Sequence, residues 1–364
     1  MYGVNGQWNA YLKIGGVEYA INPVSVPKLD WFENVHQNLP SLNLTLADKT
    51  NKFASIATAG DGVPIELTLG DGANSESSAT FNIQGQPNIV QGNGYNYIHI
   101  NAVLDKVSYL RSIITGLHEG TSASVLSAIA SQHGLQADVD STSDSQVWLP
   151  NNKTIASFVR SVADHGWIGE GGCLVPAVTS AGVFLYKNIM QAADSNKVFG
   201  QGYLPIMDWS AQSKAHVANH VRGYGSTTVG FDVTGAVSEL GKITFSLFSN
   251  FLSASKVNMD SIGNLGAKID AAVRPSGNTH ENYQKALHQN RRIRSLFSSD
   301  INILVGMATE FDLLKKATVI PTDQLTSSPN TTVSGKYLLT ARTRSLVRNK
   351  YVEKLVLTGQ SLSE

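Results

Sequence analysis

Apolar and polar residues alternate with a period of two along most of this chain, and only three windows replace that rhythm with a period near 3.6. Trp8, Ala10, Leu12 and Ile14 alternate first, followed by Leu42, Leu44 and Leu46, then Ile65, Leu67 and Leu69. Phe81 and Ile83 come next, and Ile98, Ile100, Ala102 and Leu104 close the series. Gly15-Gly16, Asp61-Gly62, Asp71-Gly72 and Gly92-Asn93-Gly94 separate these runs with turn chemistry. Short strands at this spacing predict a β-sandwich or barrel over residues 1–110.

Residues 111–195 change character. Val125, Leu126, Ile129 and Ala130 form a helical stripe over 122–133, with Ser122 as the expected cap and Gly134 as the stop. Ile155, Phe158, Val159 and Val162 repeat the pattern over 154–165, after Leu149-Pro150 and before Gly166. Strands are expected at Cys173–Val178 and Gly182–Lys187. Together these define a small α+β domain inserted into β structure. Residues 196–248 return to β, with candidates at 215–222 and 227–233. Residues 249–280 are rich in Ser, Asn, Gly and Ala and read as an insertion or interaction loop. Residues 281–364 complete a second β domain, starting with a helix over 282–297 whose stripe is Tyr283, Ala286, Leu287, Ile293 and Phe297. Strand candidates at 300–307 and 317–321 follow, and a closing hairpin pairs 334–346 with 351–359 through a short Val347–Lys350 connection. The fold class is therefore α+β and mainly β.

Composition narrows the function. The chain has 364 residues, of which 15% are charged, and its Lys and Arg balance its Asp and Glu at 28 each. A net charge of zero argues against a generic nucleic-acid binder and leaves little self-repulsion to oppose assembly. Cys173 is the single cysteine and sits in apolar sequence, so it reads as a small buried hydrophobe, and no intrachain disulfide can form. The start of the chain lacks the basic and apolar regions of a signal peptide, and no apolar run is long enough for a membrane-spanning helix. Folding in a reducing cytosol is expected.

Two blocks carry a family resemblance. One is helix, Leu149-Pro150-Asn-Asn-Lys-Thr154, helix, His165-Gly166-Trp167, hairpin. The other is helix, apolar strand, short strand, then a strand headed Gly335-Lys-Tyr337 that returns through Tyr351-Val-Glu-Lys-Leu-Val-Leu357. Together they resemble the baseplate hub family of contractile phage tails, which includes the late-control D proteins and the base of the type VI secretion VgrG spike. The resemblance implies two tube-like antiparallel β-barrel or sandwich domains around the inserted domain. It also implies a homotrimer in the virion tail, assembled in the host cytoplasm. Such a trimer adapts a sixfold tube to a trimeric spike and lines a channel for genome passage. Its expected partners are the tail tube, spike, wedge and tape measure proteins, with DNA passing transiently. The chain ends at Glu364 without the following OB-like domain of VgrG, so the spike is expected to be a separate chain.

Catalytic chemistry finds no support in the sequence. His118-Glu119 and Asp164-His165 are two adjacent His–carboxylate pairs, and His216 and His220 lie four apart without the carboxylate of a metalloprotease motif. His133 and His165 are explained by favourable contact with helix C-terminal carbonyls. There is no nucleophile elbow and no phosphate loop, so no catalytic, cofactor or metal site is expected. A tail-associated cell-wall hydrolase with an acidic pair in a cleft is the competing class. The remaining feature is basic. In the closing hairpin Tyr337, Leu339, Ala341 and Val347 alternate against Lys336, Arg342, Arg344 and Arg348. Arg342, Arg344 and Arg348 are expected on an exposed face, either solvated or set against an acidic partner as an assembly interface.

Overall fold

The computed structural model describes residues 9–19, 25–51, 53–70, 76–92, 94–169, 172–213, 299–322, 328–331, 333–347 and 350–359, together with short strands between 221 and 273. The expected helix at 282–297 lies outside them, as do Arg348, His216 and His220.

The first set of strands is β1 (Asn9–Ile14), β2 (Val17–Tyr19), β3 (Lys28–Asn34), β4 (Ser41–Asp48), β5 (Pro64–Gly70), β6 (Glu76–Ile83), β7 (Asn88–Gly92) and β8 (Tyr95–Leu104), with a short helix α1 (Ala54–Ala57). The stretch between the two strand sets, expected as an inserted domain, holds α2 (Val107–Arg111), β9 (His118–Gly120), α3 (Ser122–Gln132), β10 (Gln136–Val139), β11 (Gln146–Trp148), α4 (Ile155–Asp164), β12 (Leu174–Val178) and β13 (Val183–Asn188). The rest of the chain starts with β14 (Asp194–Gly200) and β15 (Asp208–Ser213). A separate five-stranded sheet follows, made of β16 (Val221–Tyr224), β17 (Phe231–Asp232), β18 (Ile243–Phe248), β19 (Leu252–Met259) and β20 (Ala271–Val273). The chain closes with β21 (Ser299–Val305), β22 (Lys316–Ile320), β23 (Gly335–Val347) and β24 (Lys350–Gly359). Within 249–280, expected as an insertion or interaction loop, the described residues include the strands β19 and β20.

One 14-stranded sheet carries both the first and the last strands, along the path β15-β21-β24-β23-β3-β4-β8-β6-β5-β1-β2. Two sets of six strands within it have the same order. The first runs β3-β4-β8-β6-β5-β1, and the second runs β15-β21-β24-β23-β22-β14. Counted in chain order within its own set, each is second, third, sixth, fifth, fourth, first. The pairings from second through to fourth are antiparallel in both sets. The outer pairing differs: β1 meets β5 antiparallel, whereas β14 meets β22 parallel.

The sets join where β23 changes partner. Its first residues pair with β22, and Ala341–Val347 then pair with Lys28–Asn34 of β3. A register shift between Leu339 and Ala341 marks the switch. No closed barrel is present among the described residues, which corrects the barrel half of the barrel-or-sandwich expectation, while the mainly-β class stands. The edge of β3 that could have closed the first set is occupied by the second set instead.

Among the described residues three hydrophobic clusters are formed, one under each strand set and one around α3 and α4, and they interlock. Leu346 and Tyr351 of the closing hairpin lie in the first set's cluster, while Val35 lies in the second's. Burying side chains of this size contributes roughly 1.5–3 kcal/mol each. Between the strand sets α3 and α4 form where the stripes predict. Thr121, rather than Ser122, caps α3 by accepting from Ser124 N, and Thr154 caps α4 by accepting from Ser157 N. Ser122 is instead buried, its backbone N donating to Asp144 Oδ1 at 2.8 Å, and Asp144 Oδ2 accepts from Trp167 N at 2.7 Å. One carboxylate thereby ties the start of α3 to the segment beyond α4. Cys173 is buried as expected.

Candidate functional site

The seam between β23 and β3 holds a buried network of charged side chains. Alternation should place Arg342 and Arg344 opposite Leu339, on the outer face. Thr340 lies in the register shift, however, and an extra residue at a bulge reverses the in–out phase of everything after it. Leu339 and Thr340 are both buried, and beyond them Arg342, Arg344 and Leu346 point inward. This corrects the exposed basic face expected from sequence: Arg342 and Arg344 are 6% and 4% exposed.

Their acidic partner is in the same chain. Glu33, on the buried face of β3 with Leu29 and Trp31, accepts from Arg342 Nε at 2.8 Å, from Arg342 Nη2 at 2.5 Å and from Arg344 Nη1 at 3.0 Å on one oxygen. Its other oxygen accepts from Ser180 N at 2.7 Å and Ser180 Oγ at 2.5 Å, in the turn between β12 and β13. Arg342 Nη1 also donates to the Phe311 carbonyl at 2.8 Å. Arg344 stacks 4.6 Å above the Trp31 ring and approaches Glu353 at 3.6 Å. Glu353 is fixed by Thr309 Oγ1 at 2.6 Å and by the Tyr351 hydroxyl at 2.5 Å. Two carboxylates and two guanidiniums balance, so the buried cluster carries no formal net charge.

Electrostatics follow the geometry. Burial pushes the Glu33 carboxyl up, but Arg342, Arg344 and the two Ser180 hydrogen bonds outweigh it and lower it from 4.5 to about 2. Burial and neighbouring Glu353 both push the Tyr351 hydroxyl up, keeping it a neutral donor. A carboxyl depressed in the folded state contributes stability that is fully present above its unfolded pKa and is lost as pH falls through its folded pKa. We therefore expect the denaturation midpoint to fall as pH drops from 4.5 towards 2, with Glu33 accounting for roughly 3 kcal/mol of that loss. A Glu33→Gln variant, already destabilised at neutral pH, should show a visibly flatter profile across this window.

A cavity of about 680 Å³ opens beside the cluster, lined by Glu33, Arg342 and Arg344, by Asp140 and Lys187 of the stretch between the strand sets, and by Lys315. Its charges are mutually engaged: Lys187 bridges Asp138 at 2.6 Å and Asp140 at 3.1 Å. No group of three metal-ligating side chains occurs among the described residues. His165 Nδ1 sits 2.6 Å from the Ser161 carbonyl, the helix-end contact its position implied. What the arrangement does is hold three parts of the chain together. Its sequence signal was available in Glu33, an acid in phase with Leu29 and Trp31 on an apolar strand face.

No family model matches the chain, and no curated protein matches it in sequence. Solved structures do. A tail protein from Neisseria meningitidis MC58 superposes with a TM-score of 0.61 at 11% identity, covering 97% of this chain and 96% of that one. The 43 kDa tail protein of prophage MuSo2 from Shewanella oneidensis gives 0.65 at 12%, covering 98% and 100%. The chain shares the fold of these two tail proteins. A Francisella PdpA–VgrG complex is similar over 98% of this chain and 53% of that chain, with a TM-score of 0.54 at 10% identity. At these identities the fold is what is shared. No helix among the described residues is long and apolar enough to cross a membrane.

Proposed function

We propose that this chain is a structural hub at the end of a phage tail tube, acting as a homotrimer around a genome-conducting channel. The observation that carries this reading is the repeated strand order together with the direction of the seam. β23, fifth strand of the second set, pairs with β3, second strand of the first. A contact between different strands of two equivalent units is head-to-tail, and head-to-tail contacts repeat into rings when the rotation closes. Each chain contributes eight strands to such a ring, from β15 through β23 and β3 to β8, with β7 alongside β8. Three chains give about 24 strands and a ring roughly 40–50 Å across, well beyond the 16–18 strands that already leave an aqueous channel. Six near-equivalent units then face a sixfold tube while the chains themselves keep threefold symmetry for a spike. The tail tube, spike, wedge and tape measure proteins are the partners this position entails, and the virion tail is its location.

The role is structural rather than enzymatic. Glu33, the buried carboxyl on the cavity wall, is held ionised and its oxygens are fully engaged, which suits a tie and not the general acid of a hydrolase. Mass measurement of the purified chain, alone and with its neighbouring tail proteins, tests the proposal, combined with electron microscopy of the resulting particles. The expected result is a trimeric ring with a central hole and sixfold-like features. A chain that stays monomeric in both settings overturns it.

A further inference from the structure

We propose that two edge strands, β7 and β15, are the surfaces by which one copy of this chain pairs with the next, antiparallel and in a register that the internal seam dictates. The proposal rests on the ring reading above and adds its contact. Within the chain the seam is made by the hairpin β23–β24, which lends the free side of β23 to β3. The first set has the same hairpin. β7 and β8 pair from Gly92↔Tyr95 outward, as β23 and β24 pair from Val347↔Lys350, with two residues between in each case. β8 and β24 are both ten residues long. Aligning the hairpin ends sets Asn88–Gly92 against Thr343–Val347, the part of β23 that holds β3. By the same mapping through β4 and β21, β15 takes the place of β3.

Both strands lack a second neighbour among the described residues: β7 pairs with β8 alone and β15 with β21 alone. β7 also carries no charged residue or proline of the kind that protects a natural edge. Ile89 and Val90 on it are 51% and 45% exposed, while Tyr203 and Met207, in the connection leading into β15, are 65% and 47% exposed. An uncharged apolar edge at one end of a sheet and an apolar approach to the other end form a head-to-tail pair. Carrying over the seam register, in which Val347 faces Lys28 and Thr343 faces Phe32, gives Gly92↔Asp208, Gln91↔Trp209, Val90↔Ser210, Ile89↔Ala211 and Asn88↔Gln212. Ile89 stands where Arg344 stands at the seam, so the contact between chains is apolar where the internal one is ionic.

The test uses the full chain, whose single cysteine is buried. Introducing Val90→Cys and Ser210→Cys together should give interchain disulfides on mild oxidation, ending at a closed species of the same copy number as the native ring. Val90→Cys with Ala211→Cys, shifted by one residue and therefore on opposite faces, should give at least tenfold less. Ile89→Lys with Val90→Lys should weaken association at least tenfold while leaving the thermal transition of the monomer in place, because both positions are exposed. An assembled ring in which Val90→Cys/Ser210→Cys forms no interchain bond overturns this pairing and leaves the ring standing. Failure of the unmodified chain to assemble at all overturns the ring, and the pairing with it.

Discussion

Replacing Glu33 with alanine is expected to destabilise the fold by about 3–5 kcal/mol, because it leaves Arg342 deep in the seam without its countercharge. Arg342 is raised above its ordinary pKa: burial opposes its charge, but Glu33 and Glu353 outweigh burial, so it cannot escape by losing its proton. Arg344 keeps only Glu353, at 3.6 Å, and Ser180 loses its acceptor. Chemical denaturation of Glu33→Ala against the parent measures the loss, and a difference below about 1 kcal/mol would show that the cluster does not hold the seam. A compensated variant separates charge from packing. Glu33→Leu with Arg342→Met removes one pair and leaves Arg344 with Glu353, so the remaining cluster stays neutral. Replacing a whole buried pair with apolar groups is often neutral or stabilising, so this double variant should recover most of the stability. Replacing Arg342, Arg344 and Arg348 together with glutamate, which an exposed face would tolerate, is by the same geometry expected to unfold the chain. At Arg342 and Arg344 it would bury carboxylates against Glu33.

What the sequence made legible was governed by local physics. Alternation located β1, β4, β5, β6, β8 and the closing hairpin, because a half-buried strand must repeat every two residues, but β3 was not read as a strand. Capped stripes located α3 and α4, because both helices bury one face against the same small core. What alternation could not carry was the phase across Thr340. A bulge is set by the partner strands, here the change from β22 to β3, and nothing in Leu339-Thr340-Ala341 announces it. The inward turn of Arg342 and Arg344 was hidden for that reason, and Glu33 with it, although an acid in step with Leu29 and Trp31 was a readable warning. Asp144 was missed for a related reason. Its role depends on bringing α3 and Trp167 together, residues 22 and 23 positions away. The merging of both strand sets into one sheet is further still from local pattern, since β3 and β23 are about three hundred residues apart.

Gly200→Ala is the second substitution expected to have a large effect, and it tests the one place where the two strand sets differ. β14 lies parallel to β22, and Gly200 sits opposite Ile320 with φ +93°, in the left-handed region. A Cβ built there lies 1.9 Å from the Ile320 carbonyl oxygen and 2.7 Å from its carbon, both backbone atoms that no rotamer change can move. Gly200 N also donates to the Leu204 carbonyl at 2.7 Å, closing the turn that leads towards β15. Alanine must therefore push β14 off β22 as well as adopt a disfavoured φ, and the loss should reach about 3 kcal/mol or more. Gly202, two residues on, has φ +82° but open space around its Cβ position. Gly202→Ala should cost only the conformational part, roughly 1–2 kcal/mol. Denaturation of the two variants side by side measures the difference. Hydrogen exchange should show lost protection in Asp194–Gly200 and Lys316–Ile320 for Gly200→Ala alone. Equal losses in the two variants would mean that β14 is not packed against the Ile320 backbone, and the parallel pairing would have to be abandoned.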